Sequence, residues 1–293
     1  LATQTPILKT AVRNEVQAIY SDIWKEKVEK LVIQGEFLKL LESEQSNVTW
    51  KSIIFGVHKG VMAFAMRSAT NTLATPDNLK RWKKIRSDDC LMCKKPDRPP
   101  AKATLHHQLN HCSSFLGEAE RFTWRHDSVL THMAESLKES LPKNITVYAD
   151  LADHSINGGT LPPHVAITLS RPDLVIINTA DNTVWLLELT ICFESNFDAA
   201  HTRKKLRYTS LAEDIREAGF NCNNIPVEIG SRGHITSSNK ATLTTMHSLC
   251  KPKVRLSRFV QDLSRISLLC SYAIYLSRNE SSWSCVEPLR ARK

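Results

Sequence analysis

Two neighbouring segments limit the fold more than any other feature of the chain. Leu174, Val175, Ile176 and Ile177 are apolar without a break, and so are Val184, Trp185, Leu186 and Leu187, with Thr179 to Asn182 between them. A half-exposed strand alternates apolar and polar side chains, whereas a run that is apolar at both alternations needs cover on both faces. The intervening residues have turn chemistry, so the two segments read as an antiparallel hairpin set inside a sheet with helices on either side. Asp173 stands at the start of the first arm and Glu188 near the end of the second. With Ala180 and Asp181 at the tip, these two acids are cross-strand neighbours, their Cβ atoms roughly 5 Å apart. Two carboxylates that close repel unless a cation sits between them. Hard divalent cations take oxygen ligands, so the pair reads as a magnesium (or manganese) site that activates a water and offsets charge at a phosphodiester.

The flanking segments support this layout. Val12, Val16, Ile19, Ile23, Val28 and Leu31 recur at helical spacing from Lys9 to about Ile33, and Trp50, Ile53, Ile54, Val57, Val61 and Phe64 form a second helical run. "TPDNLKRWKKIR" opens with a Pro-Asp helix entry and becomes basic, with Lys80, Arg81, Lys83 and Lys84 around Trp82, a composition suited to phosphate contact and stacking. The stretch from Phe115 to Leu141 predicts one long helix stopped by Pro142, after which "ITVYAD" is a short strand and "LADHSINGGTLPPHVAITLS" an irregular connection. After the hairpin, "SNFDAAHTRKKLRYTSLAEDIREAG" predicts one helix with Ser195 or Asn196 as N-cap and Gly219 at its end. His201, Lys204 and Tyr208 share a face of that helix, and Lys204 is placed to polarise the attacking water or stabilise the charged transition state. Lys205 and Arg207 read as solvated. "NIPVEIG" adds another strand, with Arg232 just beyond it near DNA phosphate, and two helical stretches close the chain.

The formal net charge of +9 favours an anionic partner such as nucleic acid. No window approaches the roughly 20 apolar residues of a membrane span. The opening on Leu-Ala-Thr, directly into a helical pattern, predicts a C-terminal piece of a longer polypeptide. Cys90-x2-Cys93 followed by His107-x4-Cys112 has the spacing of a closed, structural zinc site, with His106 and His111 as competing ligands. The other cysteines, from Cys192 to Cys285, are scattered, which fits a metal site in a reducing compartment rather than a disulfide framework.

Taken together, Cys90-x2-Cys93, His107-x4-Cys112, "RHDSVL" at Arg125 to Leu130, Arg171-Pro172-Asp173, Glu188-Leu-Thr and the Lys204 to Tyr208 segment resemble the C-terminal region of non-LTR retrotransposon polyproteins that carry a restriction-like endonuclease. The resemblance covers residues 88 to 250. It implies an α/β (α+β) core of PD-(D/E)XK type, a mixed sheet flanked by helices. A helical linker over 1–87 would follow the reverse transcriptase, then a zinc knuckle over 88–114, the endonuclease over 115–250 and a helical extension over 251–293. It further implies a nuclear enzyme that nicks duplex DNA so that the element's RNA can be copied, in partnership with the reverse transcriptase domain. By position, Asp173 and Glu188 are the metal-binding acids, Arg171 belongs to the same motif, and Lys204 is a migrated lysine with Tyr208 beside it. Thr190 stands where the parent pattern has its lysine, which leaves the assignment between Lys204 and Lys205. The alternative is a non-catalytic, zinc-containing nucleic-acid-binding module from a decayed or domesticated element.

Overall fold

The structure is a computed structural model that describes residues 4–43, 52–94, 99–117 and 120–283. Trp50 and Cys285, singled out above, lie outside the described residues. Four strands form one mixed sheet: β1 (Ile145–Ala149), β2 (Leu174–Asn178), β3 (Thr183–Cys192) and β4 (Asn221–Gly230), hydrogen-bonded in that order. The β1–β2 and β2–β3 pairings are antiparallel and β3–β4 is parallel. The hairpin register runs from Leu174 opposite Leu187 to Asn178 opposite Thr183, which is the register of a tip at Ala180 and Asp181. Asp173 and Glu188 therefore occupy the next opposed positions.

Every β2 residue is buried, as its unbroken apolar run requires. One face of the sheet, with Leu174, Ile176, Leu187 and Leu189, packs on α6 (Arg121–Lys138), α9 (Ser237–Cys250) and α10 (Leu256–Leu276). Val129, Leu130, Met133, Ala134 and Leu137 give α6 its buried stripe at helical spacing. The other face, with Val175, Ile177, Val184 and Leu186, packs on Leu211, Ala212 and Ile215 of α8 (Thr209–Glu217). Truncating a side chain as enclosed as Ile176 or Leu186 to Ala costs about 2–5 kcal/mol, because the walls relax only in part around the cavity.

The N-terminal third is helical: α1 (Gln4–Lys30), α2 (Glu36–Ser43), α3 (Lys59–Ala69) and α4 (Pro76–Arg81). Thr75 caps α4 by accepting from Asn78 N–H at 3.3 Å, and Pro76 takes the first turn, where its missing donor costs nothing. A five-residue π turn (His107–His111) leads into the short α5 (Ser113–Leu116). One apolar core runs continuously from Phe37 and Phe64 through Leu105, Leu109 and Cys112 to the sheet and on to Leu263 and Ile274, so it crosses the sequence positions 87/88, 114/115 and 250/251.

Three local expectations are corrected. The single helix expected over 115–141 is two, because α5 stops at Gly117 and α6 starts after Glu120, whose φ is 46°. The helix expected over 195–219 breaks at Tyr208 into α7 (Phe197–Arg207) and α8, and Asn196 at its start caps nothing with its side chain, which instead meets His106 Nε2 at 3.1 Å. Val12, Val16, Ile19 and Ile23 have the spacing of a buried stripe yet are exposed; Val28 is the residue of that series that packs inward.

Candidate active site and metal centre

Asp173 and Glu188 are reached from opposite sides of one strand ending. The β2–β3 ladder closes at Leu174, while β3 continues to Cys192 paired with β4 alone. On the edge that β2 has left, Leu189 N–H donates to Asp173 Oδ2 at 2.7 Å. The same oxygen lies 3.3 Å from His126 Nε2, and His126 Nδ1 lies 3.0 Å from Asp127. Burial alone would lower the pKa of His126, but the hydrogen bonds to Asp127 and Asp173 outweigh it and raise the ring to about 10.

Glu188 is 1% exposed and its Oε1 accepts from Lys204 Nζ and, at 2.8 Å, from Arg207. A buried carboxylate needs such partners, since an isolated one would cost several kcal/mol of desolvation. Its second oxygen, Oε2, is buried with no hydrogen-bond partner. Lys204 rather than Lys205 thus reaches the acid; Lys205 is exposed and its carbonyl accepts from Asn224 at 2.7 Å. The expectation that the two acids would repel for want of a cation is revised: His126 sits on one, Lys204 and Arg207 on the other. On the neighbouring strand Glu228 pairs with His201 at 3.3 Å, so His201 turns to β4 rather than joining Lys204.

Arg171, Asp150, Leu169, Asp173, Arg207 and Tyr208 line an open cleft of about 580 Å³. Asp150, at the end of β1, donates its N–H to the Asp173 carbonyl at 2.9 Å and pairs its carboxylate with Arg171. Tyr208 is buried, and its hydroxyl donates to the Arg171 carbonyl at 3.0 Å. Burial, followed by the nearby Glu188, pushes its pKa up, so it is a neutral hydrogen-bond donor that positions the Arg171 to Asp173 turn.

The second centre is built from Cys90, Cys93, His107 and Cys112, whose ligand atoms all lie within 4.8 Å of one another. Cys90 and Cys112 sulfurs are 3.9 Å apart, and Cys93 sulfur is 3.4 Å from His107 Nε2. A zinc tetrahedron with Zn–S near 2.3 Å and Zn–N near 2.0 Å has edges of about 3.8 Å (S to S) and about 3.5 Å (S to N), so the cluster can hold a metal ion such as zinc. Cys90 is fixed by its N–H bond to Ala101 (2.8 Å), and His107 by its N–H bond to Thr104 Oγ1 (3.0 Å). The π turn brings His107 and Cys112 onto one site. The hydrogen bond with Cys112 pulls the Cys90 thiol down against the opposing effect of burial, while Cys112 moves up. His106 and His111 are not in the cluster. His106 is pushed down to about 4, first by burial and then by His111 and Arg232, and its ring packs against His111 and Phe193.

Among the residues expected to bind nucleic acid, Arg232 is corrected. It is buried, its Nε meets Glu194 Oε2 at 2.6 Å, and its guanidinium lies over Phe37 and Phe193 at 3.9 and 4.1 Å, so its charge is taken up inside the protein rather than offered at the surface. Arg125 is likewise interior, donating to Ser271 Oγ at 2.9 Å, and burial lowers its pKa to about 10. Lys80 pairs with Asp88 at 2.5 Å and Arg81 with Asp77 at 3.4 Å, whereas Lys83 and Lys84 are exposed beside Trp82, which is 42% exposed. Sequence reasoning missed His126, Asp150 and the contact of Arg207; the "RHD" triplet and the final Asp of "YAD" were the available signals. No protein-family model matches this sequence, and no curated protein matches it.

Proposed function

We propose that the chain is a metal-dependent DNA endonuclease with a restriction-like core, the nicking part of a non-LTR retrotransposon polyprotein acting on nuclear DNA with its reverse transcriptase and element RNA. The observation that carries this is the register of the hairpin, which sets Asp173 and Glu188 at opposed positions of one strand ending, with Lys204 on Glu188 and an open cleft alongside. The donor set fits magnesium or manganese: both acids offer hard oxygens, and Glu188 Oε2 is a buried acceptor with nothing to accept from. A divalent cation, when bound there, would make a water nucleophilic and offset charge on the phosphodiester.

The chain's own residues do the rest. Arg171 and Arg207 at the cleft hold the phosphate and oppose its charge. Lys204, now donating to Glu188, faces the charge that develops on the attacked phosphate. Tyr208 acts through Arg171 as a positioning residue, and His126 does so through Asp173. The Cys/His centre has all its positions filled by protein and is structural. With magnesium, the purified chain is expected to convert supercoiled plasmid to open circle, and Asp173→Asn is expected to stop it; full activity in that variant would sink the assignment.

A second reading, a non-catalytic nucleic-acid-binding module, is favoured by one observation: His126, Lys204 and Arg207 already pair with the two acids. Salt-dependent DNA binding without cleavage across magnesium, manganese and cobalt would identify it.

A further inference from the structure

Leu169 at the cleft, and Ile167 two residues before it, are presented to solvent in a way that packing does not explain. Ile167 is 93% exposed and Leu169 101%, more than any other large apolar residue among those described. Thr168 between them is partly buried, so the alternation turns both outward. The segment is held at both ends. Upstream, Leu161 and Val165 are buried against the α8 face of the sheet, and Val165 N–H donates to Pro162 at 2.9 Å. Downstream, Tyr208 holds the Arg171 carbonyl, Asp150 holds the Arg171 guanidinium, and Pro172 is buried. Ser170 N–H closes on Thr168 Oγ1 at 3.0 Å within the tip. Leu169 itself lines the cleft with Arg171, Arg207 and Asp173.

We propose that Ile167 and Leu169 form an apolar wedge that enters between base pairs of duplex DNA lying along the Arg171 and Arg207 cleft. The proposal rests on the nuclease reading of that cleft and adds how the duplex is gripped. The occupant follows from that reading: on a chain of net charge +9, Leu169 shares its cleft with Arg171 and Arg207, whose guanidinium groups are held by Asp150 and Glu188 and aimed at the same opening as Asp173, the acid to which the nuclease reading assigns a divalent cation. Apolar wedges of this kind unstack a base step and kink the duplex, and the cost is offset by the added contact surface. A kink beside Asp173 would also open the backbone towards the acids.

The test uses the full chain, with no divalent metal present so that no strand is cut, and short duplexes carrying 2-aminopurine at successive steps. Wild type is expected to raise the emission at one or two adjacent steps as the probe loses its stack. An Ile167→Ser/Leu169→Ser double variant is expected to lose that rise and bind about tenfold more weakly, with an unchanged salt slope because no cation is removed. Arg171→Ala/Arg207→Ala is expected to lower the slope by about 2, one for each phosphate contact. The substituted side chains are exposed, so the melting temperature of the serine variant should match wild type. Asp173→Asn is expected to keep the emission rise while losing nicking, which separates failure of the wedge from failure of the nuclease. The proposal is overturned if wild type produces no rise at any step, or if the serine variant matches it in rise and affinity. It is also overturned if the serine substitutions instead abolish a dimer seen by sedimentation, which would make a second copy of the chain the occupant.

Discussion

Removing metal from the Cys90, Cys93, His107 and Cys112 centre should destabilise the whole domain and not a peripheral knuckle. Cys112 is fully buried, and it shares one apolar core with Leu105, Leu109 and Phe115 that continues to the sheet. Without a metal, thiols 3.9 Å apart sit in that core, and only the Cys90 thiolate gains a hydrogen bond there while Cys112 is held as the thiol. A ligand that binds the folded chain alone adds about 4 kcal/mol when its concentration is about a thousand times its dissociation constant, a modest setting for a four-ligand zinc site. An unfolding entropy of about 2.1 cal/mol/K per residue gives about 0.6 kcal/mol/K for a chain of 293 residues, so the expected loss is about 7 °C in melting temperature.

The assay is a thermal melt in magnesium buffer, with and without a zinc-selective chelator, alongside metal analysis for one zinc per chain. Cobalt substitution should give the visible bands of a tetrahedral site with thiolate charge transfer. Cys112→Ser and His107→Ala should each melt low in both buffers, and His111→Ala should behave as wild type. A chain that retains no zinc, or a Cys112→Ser variant that melts with wild type in both buffers, refutes the assignment.

Lys204→Ala is expected to lower plasmid nicking by about 10²–10³-fold with little change in DNA affinity, while Lys205→Ala leaves the rate near wild type; a single-turnover nicking assay compares them. Glu194→Ala should cost about 3–5 kcal/mol in denaturant unfolding, because it strands the Arg232 guanidinium in the interior. His132 is half-buried on α6, its Nε2 has no hydrogen-bond partner, and burial lowers its pKa despite the pull of Asp262. A folded pKa below the unfolded value of about 6.5 means that the unfolded chain takes up the proton first. Stability should therefore fall as pH drops below about 6.5, by up to about 1.4 kcal/mol per pH unit, and a His132→Leu variant should show a shallower acid limb by that amount.

The hairpin and its register were legible because each arm is apolar at both alternations and the link has turn chemistry, so few arrangements satisfy the pattern. The cysteine spacing likewise announced a metal centre, but the choice of histidine did not follow from it. In a regular α-helix His107 and Cys112 would point about 140° apart, and it is the π turn that removes this offset. Arg232 was misread for the opposite reason. A Ser-Arg-Gly after a strand looks like surface, and the partner that buries it, Glu194, together with Phe37, lies far away in the chain. The same holds for His126. Its neighbour Arg125 is interior, and nothing local shows that one residue further round the helix meets Asp173.

Asp173 has a structural duty that bears on how its chemistry can be tested. Beyond Leu187 the β2-side edge of β3 is completed by side chains: Asp173 accepts from Leu189 N–H, and the Ile191 carbonyl accepts from Asn110 of the π turn at 3.0 Å and from Arg125 at 3.5 Å. An Asp173→Ala variant would leave the Leu189 N–H without its acceptor, a cost of about 1–3 kcal/mol that alone could displace Glu188 on the same strand. Loss of nicking in that variant would not distinguish a missing metal ligand from a shifted strand. Asn keeps an oxygen for the Leu189 N–H and removes the charge. If Asp173→Asn melts with wild type and fails to nick, the carboxylate's charge is what the reaction needs; if Ala fails and Asn nicks normally, the residue finishes a strand edge and the metal-binding role belongs elsewhere. Because Asn110 ties the π turn to the same edge, zinc loss should disturb Glu188 before it melts β1 and β2, so nicking should fall at chelator levels that leave most of the sheet folded.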